Sequence, residues 1–341
     1  MRAFVIQGAQ DAQVTDVPTP TPAEGKVLVR VAYVGICGSD LHYYFEGANG
    51  DFTVREPFIP GHELSGTIAA DPSGRYPVGT PVTVHPARFG TEDPRYGRHL
   101  WNNGSYLGSA STWPHTQGAM SDYLLVEDFM IRELPADTSL RTAALAEPLA
   151  VGLHGIAIAG GVDGKKALVS GSGPIGLLAV AGAKESGAGE VWATDLRSGP
   201  LQRAERLGAD RTVNVAQEEL PADYFDVILE CTGIPSALNS CIPALRKAGV
   251  IGQIGMFSAG DKPINMSAML SKEAQIRGAF RFDDEIDRAI EILAGPAGDH
   301  IRDAVVTHTI DIADAVSAFH IAKDSEQSGK VLVDLTGATE Q

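Results

Sequence analysis

Short apolar segments alternate with polar or small residues along the first part of the chain. Residues 26–34, 65–70, 80–84 and 123–127 show this period of two, which is typical of half-buried β-strands, and Pro or Gly lies between them. Prolines at positions 18, 20 and 22 predict an extended segment before the first of these strands. The pattern therefore predicts an all-β domain, built as a partly open barrel.

The pattern changes from Thr138 onward. Residues 140–160 are rich in Ala and Leu, and Pro148 divides them, so we expect two helical pieces with Glu147 at the joint. Apolar strands then alternate with helices that end at a glycine: strands are predicted at 166–170, 190–194, 211–215, 225–229 and 250–254, and helices at 174–186, 200–207 and 235–247. This alternation predicts a parallel, doubly wound sheet.

The last part of the chain has a helical pattern at 284–293 and an apolar strand at 330–335. We assign this tail to the first domain. The expected division is residues 1–142 with 281–341, and residues 143–280. The predicted fold class is α/β, with one barrel and one parallel sheet.

Charge and composition narrow the class of protein. The chain has 27 Lys and Arg against 43 Asp and Glu, a formal net charge of −16, which opposes binding to nucleic acid. No apolar run approaches the roughly 20 residues that cross a bilayer, and the N-terminus lacks the apolar core of a signal peptide. Cys37, Cys231 and Cys241 are too few for a disulfide framework. We expect a cytoplasmic protein with no nucleic-acid or membrane partner.

Gly171, Gly173 and Gly176 form a G-x-G-x-x-G turn between a predicted strand and a predicted helix. Such glycines permit a tight turn, let a pyrophosphate approach the backbone at the helix N-terminus, and let helix and strand pack closely. Asp195 ends the next strand, where a carboxylate would bond a ribose 2′-hydroxyl and repel a 2′-phosphate. A turn selected for packing alone would leave Asp195 unexplained. The pattern predicts an NAD site, and Arg197 keeps NADP open.

Three residues of metal-ligand type lie in separate segments. Cys37 lies in a Gly-rich segment, His62 follows a Pro-Gly pair, and Glu147 lies at the predicted helix joint. Zinc accepts Cys, His and carboxylate ligands, and a catalytic zinc site uses about three of them with one position open. Taken singly, Cys37 could be a small core residue, His62 a turn histidine and Glu147 a helix N-terminal charge. Only the fold can bring the three together.

Six motifs occur in the order found in one enzyme superfamily: G-I-C-G-S-D-L-H-Y-Y at 35–44, P-G-H-E at 60–63, A-E-P-L-A-V at 146–151, G-S-G-P-I-G at 171–176, E-C-T-G at 230–233 and G-A-F-R-F at 278–282. Nearly the whole chain thereby resembles the zinc-dependent branch of the medium-chain dehydrogenase/reductase superfamily, and within it the polyol (sorbitol) dehydrogenases. The resemblance implies a GroES-like catalytic barrel, a Rossmann domain and a homo-oligomer, either a dimer or a tetramer.

The resemblance also implies a site. It makes Cys37 and His62 zinc ligands, and it leaves open which of Glu63 and Glu147 binds zinc directly and which through a water. Zinc would act as a Lewis acid toward the alcohol, and Ser39 would pass the alcohol proton through the cofactor ribose to His42. The residues implied at the cofactor are Pro174, Ile175, Ile254, Gly255, Met256, Phe280 and Arg281, and those implied at the substrate hydroxyls are Tyr43, Glu147 and Arg281.

The chain departs from the family between residues 85 and 118. Many relatives have four closely spaced cysteines there that bind a second, structural zinc, and this chain has none. We therefore expect one zinc per subunit. Aromatic residues would pack this lobe instead of a metal, namely Trp101, Tyr106 and Trp113, with Trp113 also against the substrate. The three histidines of the lobe are expected at the surface or in a pocket: His85, His99 and His115.

The predicted function is transfer of a hydride from a secondary alcohol of a sugar alcohol, or of an aldonate such as L-idonate, to NAD. Two alternatives are a zinc-free quinone or enone reductase of the same fold and a catalytically silent dinucleotide-binding protein. The combination of Cys37, His62 and Glu147 argues against the first alternative. The presence of both Ser39 and His42 argues against the second.

Overall fold

The computed structural model describes residues 1–337 of the chain. Its strands are β1 (Arg2–Gly8), β2 (Asp11–Asp16), β3 (Lys26–Gly35), β4 (Ala48–Asn49), β5 (Phe52–Thr53), β6 (Glu63–Ala70), β7 (Pro81–Val84), β8 (Ala87–Arg88), β9 (Ser105–Tyr106), β10 (Tyr123–Glu127), β11 (Ile131–Glu133), β12 (Lys166–Ser170), β13 (Glu190–Asp195), β14 (Arg211–Asn214), β15 (Phe225–Glu230), β16 (Leu245–Gln253), β17 (Gln275–Gly278), β18 (Val306–Asp311) and β19 (Lys330–Asp334). Each strand predicted from the sequence overlaps one of these.

The helices are α1 (Gly38–Glu46), α2 (Leu140–Ala143), α3 (Ala146–Ile158), α4 (Pro174–Glu185), α5 (Ser198–Arg206), α6 (Pro235–Cys241), α7 (Met266–Ser271), α8 (Glu285–Ala294), α9 (Gly298–Val305) and α10 (Ala315–Lys323). Within residues 1–337, none of them combines the length and the apolar composition that crossing a membrane requires.

Strand β3 lies at the centre of the first large sheet. The strand order is β11-β7-β6-β3-β19-β18, and β10 also pairs with β3. The pairs that β3 makes are antiparallel, and one of them sets Gly35 opposite Glu63. Strands β3, β6 and β7 are buried at most positions, and β10 alternates between buried and half-buried residues. The core that they help to form includes Phe4, Phe58 and Phe319. The partly open barrel predicted from the sequence is confirmed.

Six parallel strands form the second large sheet, in the order β14-β13-β12-β15-β16-β17. The direction in which strands are added reverses between β12 and β15. Because both faces are covered, β12 and β15 are apolar and buried along most of their length. The predicted doubly wound sheet is confirmed. Sheets of this kind bind ligands at the carboxyl ends of the strands, next to the point of reversal.

Two helix predictions were wrong in their bounds. The helix predicted at 235–247 ends at Cys241, and β16 begins at Leu245, so Gly249 lies inside a strand and does not terminate a helix. Pro243 accounts for the early end, because proline has no N–H for the helical ladder and its ring clashes with the preceding turn.

The joint between the two helical pieces at 140–160 lies earlier than predicted. Helix α2 ends at Ala143 and α3 begins at Ala146, so Glu147 is the second residue of α3 and Pro148 the third. Proline is accommodated there because the first-turn N–H groups of a helix need no intrahelical partner. Glu147 thus lies in the first turn of α3 and not in a break.

The tail of the chain joins the first large sheet and also packs against the helices next to the second. Strand β19 pairs antiparallel with β3, with Val333 opposite Val34, and β18 lies beyond it. Helices α8 and α9 instead pack against α3 and α4. Their apolar faces, with Ile286 and Leu293, belong to the same buried cluster as Leu149 of α3.

Candidate metal and dinucleotide site

Cys37, His62 and Glu63 come together at the edge of the barrel. The Sγ of Cys37, a ring nitrogen of His62 and a carboxylate oxygen of Glu63 all lie within 4.8 Å of one another. Cys37 precedes the first residue of α1, and Glu63 begins β6 directly after His62. Within residues 1–337 this is the group of three or more His, Cys, Asp or Glu side chains with metal-site spacing.

Asp40 holds the two ligand-bearing segments together, and sequence reasoning missed it. Its buried carboxylate accepts a hydrogen bond from the Cys37 N–H at 2.9 Å through Oδ2 and from the Gly61 N–H at 3.1 Å through Oδ1. Burial raises the pKa of Asp40, while His62 and the two N–H donors oppose that rise. The signal in the sequence was an Asp three residues after the helix-capping position at Cys37.

The electrostatics of this group favour a cation. Burial by itself would lower the pKa of His62, but the nearby Cys37 and Glu147 side chains raise it to about 10. His62 Nδ1 is buried and has no hydrogen-bond partner among the described residues. A soft thiolate, an imidazole and a carboxylate are the donor set that zinc accepts. The residues present therefore fit a zinc ion.

Lys330 of β19 forms a buried ion pair with Glu63. Its Nζ lies 2.7 Å from Oε1 and 2.6 Å from Oε2 of Glu63, and it also donates to the Ile36 carbonyl oxygen at 3.1 Å. Burial would lower the pKa of Lys330, but Glu63 and Cys37 raise it overall. We predicted Lys330 only as a strand residue. A charged residue at the start of an otherwise apolar strand was the signal available.

Glu147 lies beside this group but outside its ligand spacing, within the described residues. The hydroxyl of Tyr106, from β9, donates to Glu147 Oε1 at 2.5 Å. Burial raises the pKa of Glu147, and the carboxylate of Glu63 adds to the rise. The Tyr106 ring lies 5.5 Å from the His62 ring, and the Arg281 guanidinium carbon lies 4.1 Å from the Tyr106 ring centre. Tyr106, predicted only to pack the lobe, is therefore a site residue.

Three of the predicted relay and substrate residues lie on α1, namely Ser39, His42 and Tyr43. Ser39 is half-buried and His42 is exposed, with His42 Nδ1 2.9 Å from Glu46 Oε1. Tyr43 is buried, and its hydroxyl accepts a hydrogen bond from the Ala110 N–H. Trp113 is 63% exposed and lines a surface cavity of about 140 Å³.

The glycine-rich turn has the geometry that the sequence predicted. Gly171 has φ +89°, and a Cβ there would lie 2.5 Å from Thr232 Cγ2. A Cβ at Gly176 would lie 1.8 Å from the Gly171 carbonyl oxygen, so strand and helix pack too closely for a side chain. A Cβ at Gly173, by contrast, would have no neighbouring atom within 4 Å. The turn therefore leaves backbone accessible where α4 begins, as a phosphate requires.

Asp195 ends β13 next to this turn. Its Oδ2 accepts a hydrogen bond from the Ser172 N–H at 3.0 Å, and its Oδ1 accepts from the Leu196 N–H at 2.7 Å. The Arg197 side chain turns away and donates to Ser325 Oγ at 2.7 Å. The described geometry thus leaves the carboxylate, and not the guanidinium, nearest the turn.

The other residues predicted at the cofactor follow the carboxyl ends of neighbouring strands. Ile254, Gly255 and Met256 come after β16, and Phe280 and Arg281 come after β17. Met256 is 71% exposed and Phe280 41% exposed, so an apolar surface is available to an aromatic ring. The Arg281 guanidinium also lies 4.8 Å from the Phe280 ring centre.

The lobe between residues 85 and 118 is held by polar and aromatic contacts. His85 was expected at the surface or in a pocket, and that was wrong: it is buried, and its Nε2 lies 2.7 Å from the Asp283 carbonyl oxygen. His99 lines a cavity of about 200 Å³ and packs edge-on against His154. His115 lines the smaller cavity beside Trp113 and accepts the Arg55 N–H.

Two family models match the chain. Residues 23–136 match the alcohol dehydrogenase GroES-like domain, and residues 174–295 match the zinc-binding dehydrogenase domain. The chain is 33% identical to L-idonate 5-dehydrogenase (NAD(P)(+)) of Escherichia coli over 97% of both chains, and 34% identical to sorbitol dehydrogenase of Bacillus subtilis over 86% of both. The crystal structure of the Escherichia coli L-idonate 5-dehydrogenase superposes with a TM-score of 0.91 at 31% identity, covering 98% of this chain and 97% of that one.

Proposed function

Because this chain belongs to the zinc-dependent branch of the medium-chain dehydrogenase/reductase superfamily, among the polyol dehydrogenases, we propose that it oxidises a secondary hydroxyl of a sugar alcohol or an aldonate such as L-idonate and transfers the hydride to NAD. The observation that carries the proposal is the Cys37–His62–Glu63 group, in which Cys37 is half-buried and the other two are buried, with the hydrogen-bonded pair Tyr106 and Glu147 beside it. Side chains that can bind a metal ion and side chains that can hydrogen-bond to substrate hydroxyls therefore lie next to each other.

Cys37, His62 and Glu63 would hold the zinc. Once bound, zinc supplies Lewis-acid chemistry that lowers the pKa of an alcohol toward neutrality. The 4.8 Å spacing supports Glu63 as the carboxylate that binds directly, and it supports Glu147 in a role beside the metal. The proposal includes one zinc per subunit, since the lobe at 85–118 has no cysteine.

Metal analysis of two variants tests this assignment. We expect Glu63→Gln to lose zinc affinity by more than about tenfold, since it removes a charged ligand. Glu147→Gln should keep one zinc and lose activity. The opposite result, with zinc lost only from Glu147→Gln, would make Glu147 the direct ligand.

The side chains around the metal group would orient the substrate and move its proton. Tyr43, Glu147 and Arg281 would bind substrate hydroxyls, since a site with buried polar groups rejects substrates that leave them unpaired. Arg281 supports this role because, among residues 1–337, its guanidinium contacts aromatic rings, which leaves its N–H donors available. Trp113 would border the substrate at the surface cavity.

Ser39 and His42 would carry the alcohol proton outward. The two residues are three positions apart on α1 and so lie on the same face of the helix. Ser39 is half-buried and His42 exposed, an order that supports transfer from the site toward solvent. A bound dinucleotide would supply ribose hydroxyls, which can both accept and donate a proton, to this pair of residues.

Asp195 supports NAD over NADP. Its carboxylate lies at the end of β13 beside the phosphate-binding turn, and a 2′-phosphate there would meet a negative charge. NADP stays open, since a relative of this chain is named for both cofactors. We also propose a homo-oligomer, dimer or tetramer, which light scattering on the purified protein tests.

The proposed function as a whole is tested by a substrate panel. Purified protein with a measured zinc content is offered alditols, L-idonate and other aldonates with NAD and with NADP. We expect oxidation of at least one panel member, NAD to be preferred, and activity to disappear after chelation and return with zinc. Zinc-independent reduction of a quinone or enone would contradict the proposal, and so would a zinc stoichiometry near two.

A further inference from the structure

We propose that Lys330 is a positioning residue that sets the charge of the metal site through Glu63, and so sets how readily the reacting alcohol loses its proton. This inference rests on the proposed function. It concerns a residue of the last strand, which lies 267 positions after Glu63 in the chain.

The ion pair between Lys330 and Glu63 is closed to solvent. The two side chains are 2% and 0% exposed, and the Lys330 Nζ lies nearly equally far from both carboxylate oxygens, at 2.7 and 2.6 Å. Charges this deep in a protein are screened far less than charges at its surface. The charge of Lys330 therefore acts on its surroundings more strongly than a surface charge would.

The Lys330 ammonium contacts two acceptor groups, the Glu63 carboxylate and the Ile36 carbonyl oxygen. Lys330 Nζ donates to the Ile36 carbonyl oxygen, and the Ile36 N–H donates to the Val331 carbonyl oxygen at 3.0 Å. Strand β19 therefore binds both the N–H and the C=O of Ile36, the residue before Cys37. A Cβ at Gly35 would lie 2.1 Å from Glu63 Oε2. Glycine at this position leaves the space that the carboxylate occupies.

The ion pair leaves Glu63 able to bind a metal. Each carboxylate oxygen has two lone-pair directions, so one oxygen can accept from Lys330 and still face a cation. The charged groups that act on Lys330 are Glu63, Cys37 and Glu147. Cys37 and Glu147 in turn act on His62, and so does Asp40. Cys37 and Glu63 would bring two negative charges to a metal dication, and Lys330 offsets one of them.

The consequence concerns the proton of the alcohol. A cation that stays near the metal favours the negatively charged form of a group bound there, and removing it disfavours that form. A neutral residue at position 330 should therefore raise the pH at which the alcohol ionises. Because Glu63 would then face the metal without a competing cation, zinc affinity should not fall.

The experiment compares Lys330→Gln, Lys330→Arg and the wild-type protein. Glutamine keeps an N–H donor for Glu63 and Ile36 but removes the charge, and arginine keeps the charge. Zinc affinity is measured by competition with a chromophoric chelator. The visible absorption of the cobalt(II) form is measured against pH without substrate, and this gives a first pH midpoint. The kcat/KM for the best polyol or aldonate is measured against pH and gives the second.

We expect Lys330→Gln to bind zinc at least as tightly as wild type, with both pH midpoints higher by about one unit. Lys330→Arg should stay near wild type. The matched control is Lys184→Gln, which makes the same change in net charge at the surface pair with Asp210 and should shift neither midpoint. Lys330→Met, also neutral, serves as the second variant if Lys330→Gln does not fold.

Two results would overturn the inference. If the neutral variants keep both pH midpoints of wild type, the charge of Lys330 does not reach the site. If they fold but bind zinc more than tenfold more weakly, Lys330 is a structural brace. A wild-type protein that binds no zinc and oxidises no polyol or aldonate would instead refute the proposed function itself.

Discussion

Tyr106 donates its hydroxyl hydrogen to Glu147 Oε1 at 2.5 Å, and this bond joins the lobe at 85–118 to the first turn of α3. Both groups are buried, and burial together with the Glu147 carboxylate raises the pKa of Tyr106 well above its usual value. Tyr106 therefore stays protonated, and its single O–H hydrogen can be donated to Glu147 or to a substrate oxygen.

Tyr106→Phe should lower kcat/KM for the polyol or aldonate by about 10- to 100-fold, because a hydrogen bond to a charged group contributes about 1.5–3 kcal/mol. Zinc content should stay at the wild-type value. Steady-state kinetics and metal analysis on the same preparation measure both. Tyr96→Phe, which removes an exposed hydroxyl of the same lobe, is the control and should change neither. Loss of zinc from Tyr106→Phe would mean that the pair holds the metal site and does not orient substrate.

Asp40→Asn should destabilise the barrel by about 1–3 kcal/mol, since the amide turns one N–H donor toward a backbone N–H that now lacks an acceptor. The carboxylate accepts from both Cys37 and Gly61, so the effect should reach both ligand segments. Urea unfolding of the zinc-free protein measures the free energy of unfolding, and the rate of zinc release to a chelator should rise. Asp303→Asn, at an exposed ion pair, should stay within about 0.5 kcal/mol of wild type. If both variants change the free energy of unfolding by the same small amount, Asp40 does not hold the two ligand segments together.

Asp195→Ala should shift the preference from NAD toward NADP by about tenfold or more in relative kcat/KM. The variant removes both an acceptor for a ribose 2′-hydroxyl, worth about 1.5–3 kcal/mol, and the repulsion of a 2′-phosphate. Kinetics with both cofactors measure the ratio. The control is Glu218→Ala, which removes a carboxylate from the exposed pair with Arg211. An unchanged ratio in Asp195→Ala would show that this carboxylate does not face the ribose.

His42→Ala should keep zinc and slow turnover, whereas Cys37→Ser should lose zinc and activity together. General acid–base groups contribute about 10²–10⁴-fold, and an exposed terminal acceptor that solvent partly replaces should be at or below the lower end. The loss of turnover rate in His42→Ala should become smaller as pH rises, because hydroxide and buffer then accept the proton. Metal analysis and pH profiles test both variants. Zinc loss from His42→Ala would make His42 a ligand, and unchanged activity at every pH would refute the relay.

His85 should make the protein sensitive to acid. Burial lowers the pKa of His85 to about 4, against the opposing hydrogen bond to the Asp283 carbonyl. In the unfolded chain this histidine has its ordinary pKa of about 6.5 and takes up a proton that it does not bind in the folded protein. The free energy of unfolding therefore falls as the pH drops from about 6.5 to about 4. The fully expressed difference corresponds to about 3 kcal/mol.

His85→Gln should reduce this loss, because glutamine does not titrate and can still donate to the Asp283 carbonyl. Urea unfolding between pH 4 and pH 7 gives the slope of the unfolding free energy for wild type and variant. His300→Gln, at an exposed position, is the matched control and should keep the wild-type slope. Equal slopes for wild type and His85→Gln would show that other groups cause the acid sensitivity.

The sequence by itself determined the two sheet types and the glycine-rich turn between β12 and α4. A period of two predicted the barrel strands, and strand–helix alternation predicted the parallel sheet. Gly171, Gly173 and Gly176 were assigned three different roles, and the space around each one agrees with its role. These features are readable because backbone dihedral preferences and the burial of one face act over a few neighbouring residues.

Only the tertiary structure decided which side chains surround the metal group. Glu63 and Glu147 are equally acceptable as ligands in the sequence, and the structure brings Glu63, and not Glu147, within 4.8 Å of both Cys37 and His62. Tyr106 and Lys330 enter from the lobe and from the last strand, 41 and 267 positions away from their partners. Contacts of this kind depend on the order in which strands pair and on where loops pack. No local pattern of residues carries that information, because the free energy of each contact is set by burial that the whole fold provides.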